Sequence, residues 1–128
     1  MVKEVIIMPN TASSPFSSAV RAGDFIFVSG NVGVVDKDGR KLKEIKAQTR
    51  QCFENIKQVL EAAGSSLSDV VKVTAFITNI DDFAQMNEIY MGYFTKDRPA
   101  RSTVVTGLVN PDMLIEVECI AYQPQVTP

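Results

Sequence analysis

The stretch RPARSTVVTGLVNPDMLIEVECIAY, residues 98–122, decides the fold of this chain. Its pattern predicts two short strands joined by a turn at residues 110–112. Because successive side chains of a strand point to opposite faces, Glu116 and Glu118 share one face of the second strand and the apolar residues around them share the other. Arg101 opens the first strand, and its planar set of donors suits a carboxylate bidentately. Spacing alone favours the ordinary interpretation, which is a surface arginine and a solvated strand face.

Around this stretch, apolar residues recur with two different periods. Alternating and β-branched runs predict further strands at residues 3–8, 17–21, 25–29, 32–35 and 70–78. A 3.6-residue period predicts one helix over residues 45–63, with Gly64 at its C-terminal cap. A second helix is predicted to follow a cap at Asn79 or Asp81. This order of elements predicts an α+β fold, with two helices packed on one face of a mixed β-sheet.

The face of the sheet that two helices cannot cover carries large apolar residues. The pattern places Val70, Phe76, Ile120 and Tyr122 on this open face. A monomer rarely leaves so much apolar sheet in water, so we expect a homo-oligomer that buries it.

The composition is typical of one soluble domain and excludes several classes of function. The chain has 128 residues, of which 45% are hydrophobic, enough for one core. Its net charge of -2 argues against a nucleic-acid partner, because binding of phosphates depends on clustered lysine and arginine. The absence of histidine excludes Ser-His-Asp and Cys-His catalysis and nearly every zinc site. No apolar run is long enough to span a membrane or to form the core of a signal peptide, and Cys52 and Cys119 lack metal spacing. We therefore expect a cytoplasmic protein with two free thiols and no membrane partner.

Without histidine, the candidate reactive groups are Arg101, the carboxylates, the hydroxyls and a few amides. A guanidinium that anchors an anionic substrate and a carboxylate that holds water form a minimal catalytic set. Lys72 is a poor candidate for a Schiff-base lysine, because its neighbours on the strand face, Val70 and Thr74, give little support for that role and a solvated lysine is the simpler interpretation. Asn87 is typical of a helix surface. Gly30 ends a predicted strand where the backbone needs a close approach or a positive φ, and it lacks the lysine and the following helix of a phosphate-binding loop.

Five motifs together resemble the Rid family, the reactive intermediate deaminases that are also called YjgF-like. Pro-Ala-Arg-Ser at residues 99–102 and Ile-Glu-Val-Glu at residues 115–118 are similar to the family's C-terminal signature. Phe-Val-Ser-Gly at residues 27–30 resembles its apolar strand that ends in Ser-Gly. Val-Val-Lys-Val-Thr at residues 70–74 and Asp-Phe-Ala-Gln-Met-Asn at residues 82–87 resemble its central strand and second helix. Because the resemblance extends over nearly the whole chain, residues 1–128 are predicted to form a single Rid/YjgF-like domain.

The resemblance implies a chorismate-mutase-like protomer that forms a homotrimer with ligand clefts between its subunits. The implied reaction is hydrolysis of 2-imino or 2-enamine acids to 2-keto acids and ammonia, without a cofactor or a metal. The resemblance also implies that Arg101 clamps the carboxylate of this small-molecule substrate and that Glu116 positions the attacking water. Further substrate contacts are implied at Gly30, Asn87 and Thr103.

Two positions depart from the family pattern. Phe16, the remaining predicted substrate-binding residue, stands where many active members have a tyrosine, and Thr103 stands where many have a cysteine. Both changes leave the carboxylate clamp intact but alter contacts to the rest of a substrate. Two alternatives therefore stay open: a pathway-specific deaminase of another enamine acid, of the aminoacrylate or aminomuconate type, and a non-catalytic trimeric binder of small carboxylates. The sequence also leaves open whether Glu116 or Glu118 faces the cleft.

Overall fold

The computed structural model describes residues 2–125, so Met1 and residues 126–128 of the predicted domain lie outside the described residues. Within this range, one sheet contains the strands β1 (Glu4–Ile6), β2 (Ala19–Ala22), β3 (Phe25–Val32), β4 (Val70–Ile77), β5 (Ala100–Val105) and β6 (Ile115–Tyr122). Their order across the sheet is β1-β2-β3-β6-β4-β5. Strands β4 and β5 are parallel, and the other neighbouring pairs are antiparallel. The predicted mixed sheet is confirmed.

Two helices, α1 (Ile45–Ala62) and α2 (Phe83–Tyr93), pack against each other on one face of this sheet. Helix α1 ends where the sequence predicts, since Gly64 has a φ of +78° that a side chain would disfavour. The ring of Phe53 on α1 forms T-shaped contacts with the rings of Tyr90 and Phe94, at 5.7 Å between centroids in each case. The helices and the covered face of the sheet therefore share one core, and the α+β prediction is confirmed.

The two final strands are not neighbours, although the sequence predicts them as a pair joined by a turn. Strand β4 lies between them, parallel to β5 and antiparallel to β6. A parallel pair needs a long crossover, and α2 supplies it between β4 and β5. The connection after β5 then carries the chain back to the position beside β3.

The prediction that Val70 lies on the open face is wrong. The pairing of β4 with β6 shifts between Val70 and Lys72, so that Val71 is one extra residue on β4. Such a bulge reverses the alternation of side chains, and Val70 is 5% exposed whereas Val71 is 44% exposed. The remaining predicted residues of the open face keep their places, with Tyr122 exposed and Ile120 half-buried.

The open face is strongly apolar. Phe25, Phe27 and Tyr122 are exposed by 42%, 46% and 43%. Their rings contact one another, at 6.5 Å between Phe25 and Phe27 and 5.2 Å between Phe25 and Tyr122. This surface agrees with the expectation of a homo-oligomer, which stays a prediction.

Candidate active site

Strand β5 carries Arg101 and Thr103 on the side of the sheet that the helices cover. In the parallel pairing with β4, Arg101 lies beside Val73 and Thr103 lies beside Ala75. Paired residues of neighbouring strands point to the same face, and Val73 and Ala75 belong to the core. Because β5 is the edge strand, Arg101 and Thr103 remain half-exposed there.

The guanidinium of Arg101 lies against two aromatic rings of α2. Its central carbon, Cζ, is 4.5 Å from the ring centroid of Tyr90 and 5.7 Å from that of Phe83. Both distances are within the range of cation–π attraction. Among residues 2–125, no oxygen accepts a hydrogen bond from this guanidinium and no carboxylate lies within ion-pair distance of it. Its donors are therefore available to an anion from outside this part of the chain.

Asn87 lies on the same face of α2, one turn after Phe83 and one turn before Tyr90. Its Oδ1 is buried and accepts no hydrogen bond in the described chain, and the Tyr90 hydroxyl is buried without a partner as well. Such unpaired buried groups are rare and cost about 1–3 kcal/mol each. Burial raises the pKa of Tyr90, and the positive charge of Arg101 opposes that rise. Asn87 thus belongs to the Arg101 side of the helix rather than to its solvent-facing surface. We call the set of Phe83, Asn87, Tyr90, Arg101 and Thr103 the Arg101 cluster.

Glu116 lies on the open face of the sheet. On its two neighbouring strands it pairs with Phe76 and Val32. The register of β3 shifts between Val28 and Asn31, and this bulge brings Gly30 beneath the Glu116 side chain. A Cβ atom at Gly30 would collide with the Glu116 carboxylate, so the predicted close approach is confirmed and needs no positive φ.

Glu116 and Glu118 share the open face, as the alternation of β6 predicts. Glu116 is half-buried against Gly30, whereas Glu118 is exposed and lies beside Thr74. Glu116 is therefore the carboxylate that packs against the bulge of β3.

A cleft of about 460 Å³ opens beside the bulge of β3. Phe16, whose side chain is 57% exposed, lines it together with Gly30. Helix α1 contributes Asn55, whose amide donates a 2.9 Å hydrogen bond to the backbone of β3. The volume is sufficient for a small molecule. Glu116 is not among the residues that line this cleft, but Gly30, which does line it, packs against the Glu116 carboxylate. We call Phe16, Gly30 and Glu116 the Glu116 cluster.

Arg101 and Glu116, the central residues of the two clusters, lie on opposite faces of the sheet. Arg101 pairs with Val73, which in turn pairs with Cys119, three residues along β6 from Glu116. At about 4.8 Å between strands and about 3.4 Å per residue, the Cα atoms of Arg101 and Glu116 are roughly 14 Å apart. A small acid clamped by Arg101 therefore cannot reach a water molecule held by Glu116 of the same chain. The chain brings the predicted site residues into two sets and does not join these sets.

Sequence reasoning missed Phe83 and Tyr90 as site residues. Both belong to the apolar stripe of α2, and such a stripe does not distinguish a ring that packs in the core from a ring that lies beside a guanidinium. Tyr90 occupies both kinds of position, because Phe53 contacts its ring and Arg101 lies over the face of that ring. The spacing of Phe83, Asn87 and Tyr90, which puts one amide within an aromatic helix face, is a signal that could have identified them.

Other reactive groups in residues 2–125 lie apart from both clusters. The two cysteines are free and buried, and burial raises the pKa of both thiols, that of Cys119 to about 12. Neither thiol is ionised at neutral pH. Within the same range, no three His, Cys, Asp or Glu side chains converge as metal ligands would. None of the helices described there combines the length and the apolar character that crossing a membrane requires.

Known proteins resemble this chain over nearly its whole length. Residues 8–123 match the family described as endoribonuclease L-PSP. A RutC family protein of Pyrococcus horikoshii is 47% identical, over 95% of this chain and 99% of that protein. A protein of Salmonella typhimurium named 2-iminobutanoate/2-iminopropanoate deaminase is 38% identical, over 88% of this chain and 90% of that protein. The crystal structure of the YjgF gene product of E. coli is similar with a TM-score of 0.84 and 36% identity, over 93% of this chain and 98% of that chain. The matched residues include both clusters.

Proposed function

The chain belongs to the endoribonuclease L-PSP family, which confirms the predicted Rid (YjgF-like) membership, and we propose that it hydrolyses 2-imino and 2-enamine acids to 2-keto acids and ammonia. The observation that carries this proposal is the half-buried Arg101 guanidinium, which rests on two rings and has no anionic partner in the described chain. A planar guanidinium with free donors suits the carboxylate that all these substrates share. The name of the Salmonella relative supports this class of reaction.

The proposed site is shared between two subunits of a homotrimer. Arg101 and Glu116 lie on opposite faces of one chain, so a second copy must supply the partner cluster. The exposed aromatic residues of the open face favour such an assembly. The number of three subunits rests on the family resemblance.

In the proposed reaction, Arg101 of one subunit binds the substrate carboxylate, and Glu116 of the partner subunit holds and deprotonates a water molecule. An enamine first takes a proton at C3 and becomes the imine. Water then adds to the carbon of the C=N bond, and the resulting carbinolamine breaks its C–N bond and releases ammonia. The reaction consumes one water and releases one ammonia, and no electrons are exchanged. Orientation of a reactive imine carbon against one water is the main requirement, and a fixed clamp provides it.

The other predicted residues have subsidiary roles in this proposal. Asn87 lies on the same face of α2 as Tyr90, and its amide contacts the substrate beside the clamp. Thr103 contacts the substrate beside the clamp, and Phe16 and Gly30 line the cleft beside the bulge against which the Glu116 carboxylate packs. Both free thiols are buried, and we propose a reducing, cytoplasmic location, which cell fractionation tests.

Subunit complementation tests the reaction and the shared site together. Ketoacid release from freshly generated 2-aminocrotonate is measured for the wild type, Arg101→Ala and Glu116→Ala. We expect acceleration by the wild type and a large loss in each variant alone. In a mixed assembly refolded from equal amounts of both variants, half of the subunits keep Arg101 and half keep Glu116, so about one quarter of the clefts are intact and about one quarter of the activity returns. No acceleration by the wild type contradicts the reaction, and no recovery in the mixture contradicts the shared site.

A second candidate function is binding of small carboxylates without turnover. The exposed Phe16 favours it, because the ring brings no hydroxyl into the cleft where the family resemblance expects one. Calorimetric binding of 2-oxobutanoate by a wild type that does not accelerate ketoacid release would select this function. Release from only one substrate of an enamine-acid panel would instead select a pathway-specific deaminase.

A further inference from the structure

The orientation of Arg101 depends on ring faces rather than on acceptor atoms. A carboxylate beside Arg101 would orient the guanidinium but would also occupy its N–H donors and compete with an incoming anion. A ring face attracts the cation through its quadrupole and leaves the donors in the guanidinium plane free. The described chain provides two ring faces and no carboxylate at this position.

Of the two rings, that of Tyr90 is the better fixed. Tyr90 is 5% exposed, and its ring packs against Phe53 at 5.7 Å and against Phe94 at 4.8 Å. Phe83 is 41% exposed and lies farther from the guanidinium. The Tyr90 hydroxyl has no hydrogen-bond partner among the described residues, so the part of Tyr90 that meets Arg101 is its ring.

Building on the proposed function, we infer that Tyr90 is a positioning residue for the carboxylate clamp. Its ring face holds the Arg101 guanidinium in the orientation that binds the substrate carboxylate. Tyr90 thereby sets the preference of the site for acids over neutral analogues of the same shape, although it acts only through Arg101.

Binding of a matched pair of ligands tests this role without any need for turnover. Calorimetry compares 2-oxobutanoate with its neutral amide, and the ratio of their affinities measures the contribution of the clamp. We expect Tyr90→Leu to lower the affinity for the acid about tenfold and to leave that for the amide unchanged, since a cation–π contact of a half-exposed guanidinium lies between the exposed and the desolvated range. Tyr90→Phe keeps the ring and should stay within about threefold of the wild type. Tyr90→Met, which fills the space flexibly, replaces the leucine variant if that variant does not fold.

Two controls separate positioning from packing. Tyr93→Leu removes a ring that stacks on Phe53 in the same aromatic group, at 5.3 Å between centroids, and that does not hold the Tyr90 ring or Arg101, so it should destabilise the fold and leave the affinity ratio unchanged. On an Arg101→Ala background, Tyr90→Leu should change the ratio less than twofold, because its effect passes through the missing guanidinium.

Four results would overturn the inference: an unchanged ratio in Tyr90→Leu, an equal loss in Tyr90→Phe, a full effect on the Arg101→Ala background, or no preference for the acid in the wild type. A wild type that prefers the acid but releases no ketoacid contradicts the proposed deaminase alone, because the positioning role is measured by binding.

Discussion

Replacement of Gln48 by leucine is expected to lower the free energy of unfolding by about 2 kcal/mol. Gln48 is fully buried on α1, and its amide connects two segments that are distant in sequence. Its Nε2 donates to the carbonyls of Leu42 at 2.8 Å and Asp112 at 2.9 Å. Its Oε1 accepts from the N–H of Leu114 at 2.9 Å. One side chain thus attaches the connection between β5 and β6 to the helix.

The magnitude follows from the three backbone groups that lose their partner. An unpaired buried group costs about 1–3 kcal/mol, and the lower value applies because Leu42 and Leu114 are half-buried and Asp112 is exposed. The sum is about 3 kcal/mol, which the burial of a more apolar side chain offsets by about 1 kcal/mol. Unfolding entropy is about 2.1 cal/mol/K per residue, so a net loss of about 2 kcal/mol lowers the Tm of a chain of 128 residues by about 7 °C.

Urea unfolding at one fixed protein concentration measures this effect, since the stability of an oligomer depends on concentration. Gln58→Leu is the matched control, because Gln58 is exposed on the same helix and such a substitution changes stability by about 0.5 kcal/mol or less. A loss in Gln48→Leu no larger than in the control would refute the reasoning. Water would then be able to replace the amide at all three backbone groups.

Three further predictions concern the site and the response to pH. Gly30→Ala should displace the Glu116 carboxylate that packs against the bulge and lower ketoacid release at least tenfold. Gly92→Ala is its control: a Cβ atom there meets open space, so this variant should keep activity and stabilise α2 by about 0.5–1 kcal/mol. Phe16→Tyr should raise kcat/KM about fivefold through one added hydrogen bond worth about 1 kcal/mol, and an unchanged value contradicts a role for this position. Burial and the hydrogen bond to Glu54 raise the pKa of Tyr93 above its ordinary 10.0, so the stability that its protonated form contributes is complete below pH 10 and is lost as the pH rises further. The Tm of Tyr93→Phe, measured as a function of pH, should therefore fall less steeply above pH 10 than that of the wild type.

Residue periodicity predicts which face of a helix or strand is buried better than it predicts which strands lie side by side. The alternation along β6 identifies its buried and open sides, and the period of α1 extends to the cap at Gly64, because both patterns are local in the chain. The position of β4 between the last two strands depends on which strands meet in space, and periodicity carries no such information. The bulge at Val71 could not be predicted for the same reason, since only the register against β6 reveals the extra residue.

Family motifs nominate the candidate site residues but do not predict their arrangement. Arg101 and Glu116 are conspicuous in the sequence, and their patterns correctly assign each to a strand. Their separation onto opposite faces depends on the strand order, which the motifs do not contain. Gln48 was missed for a different reason. A polar side chain within a buried stripe weakens the apolar period, although both atoms of the Gln48 amide form hydrogen bonds in the structure.

Two arginines show which feature separates the proposed binding residue from a structural one in this chain. Arg21 is 8% exposed, and its guanidinium donates to the carbonyl and the side chain of Gln123 and to the carbonyl of Ala63. Its acceptors come from 102 and 42 residues away in the sequence, so no local pattern predicts them. With these bonds made, Arg21 stabilises the contact between the end of α1 and the C-terminal segment. Arg101 has the same chemistry but meets only ring faces among the described residues, and its donors stay available. What marks Arg101 as a candidate site residue is therefore its set of neighbours, which the fold provides and the residue type does not.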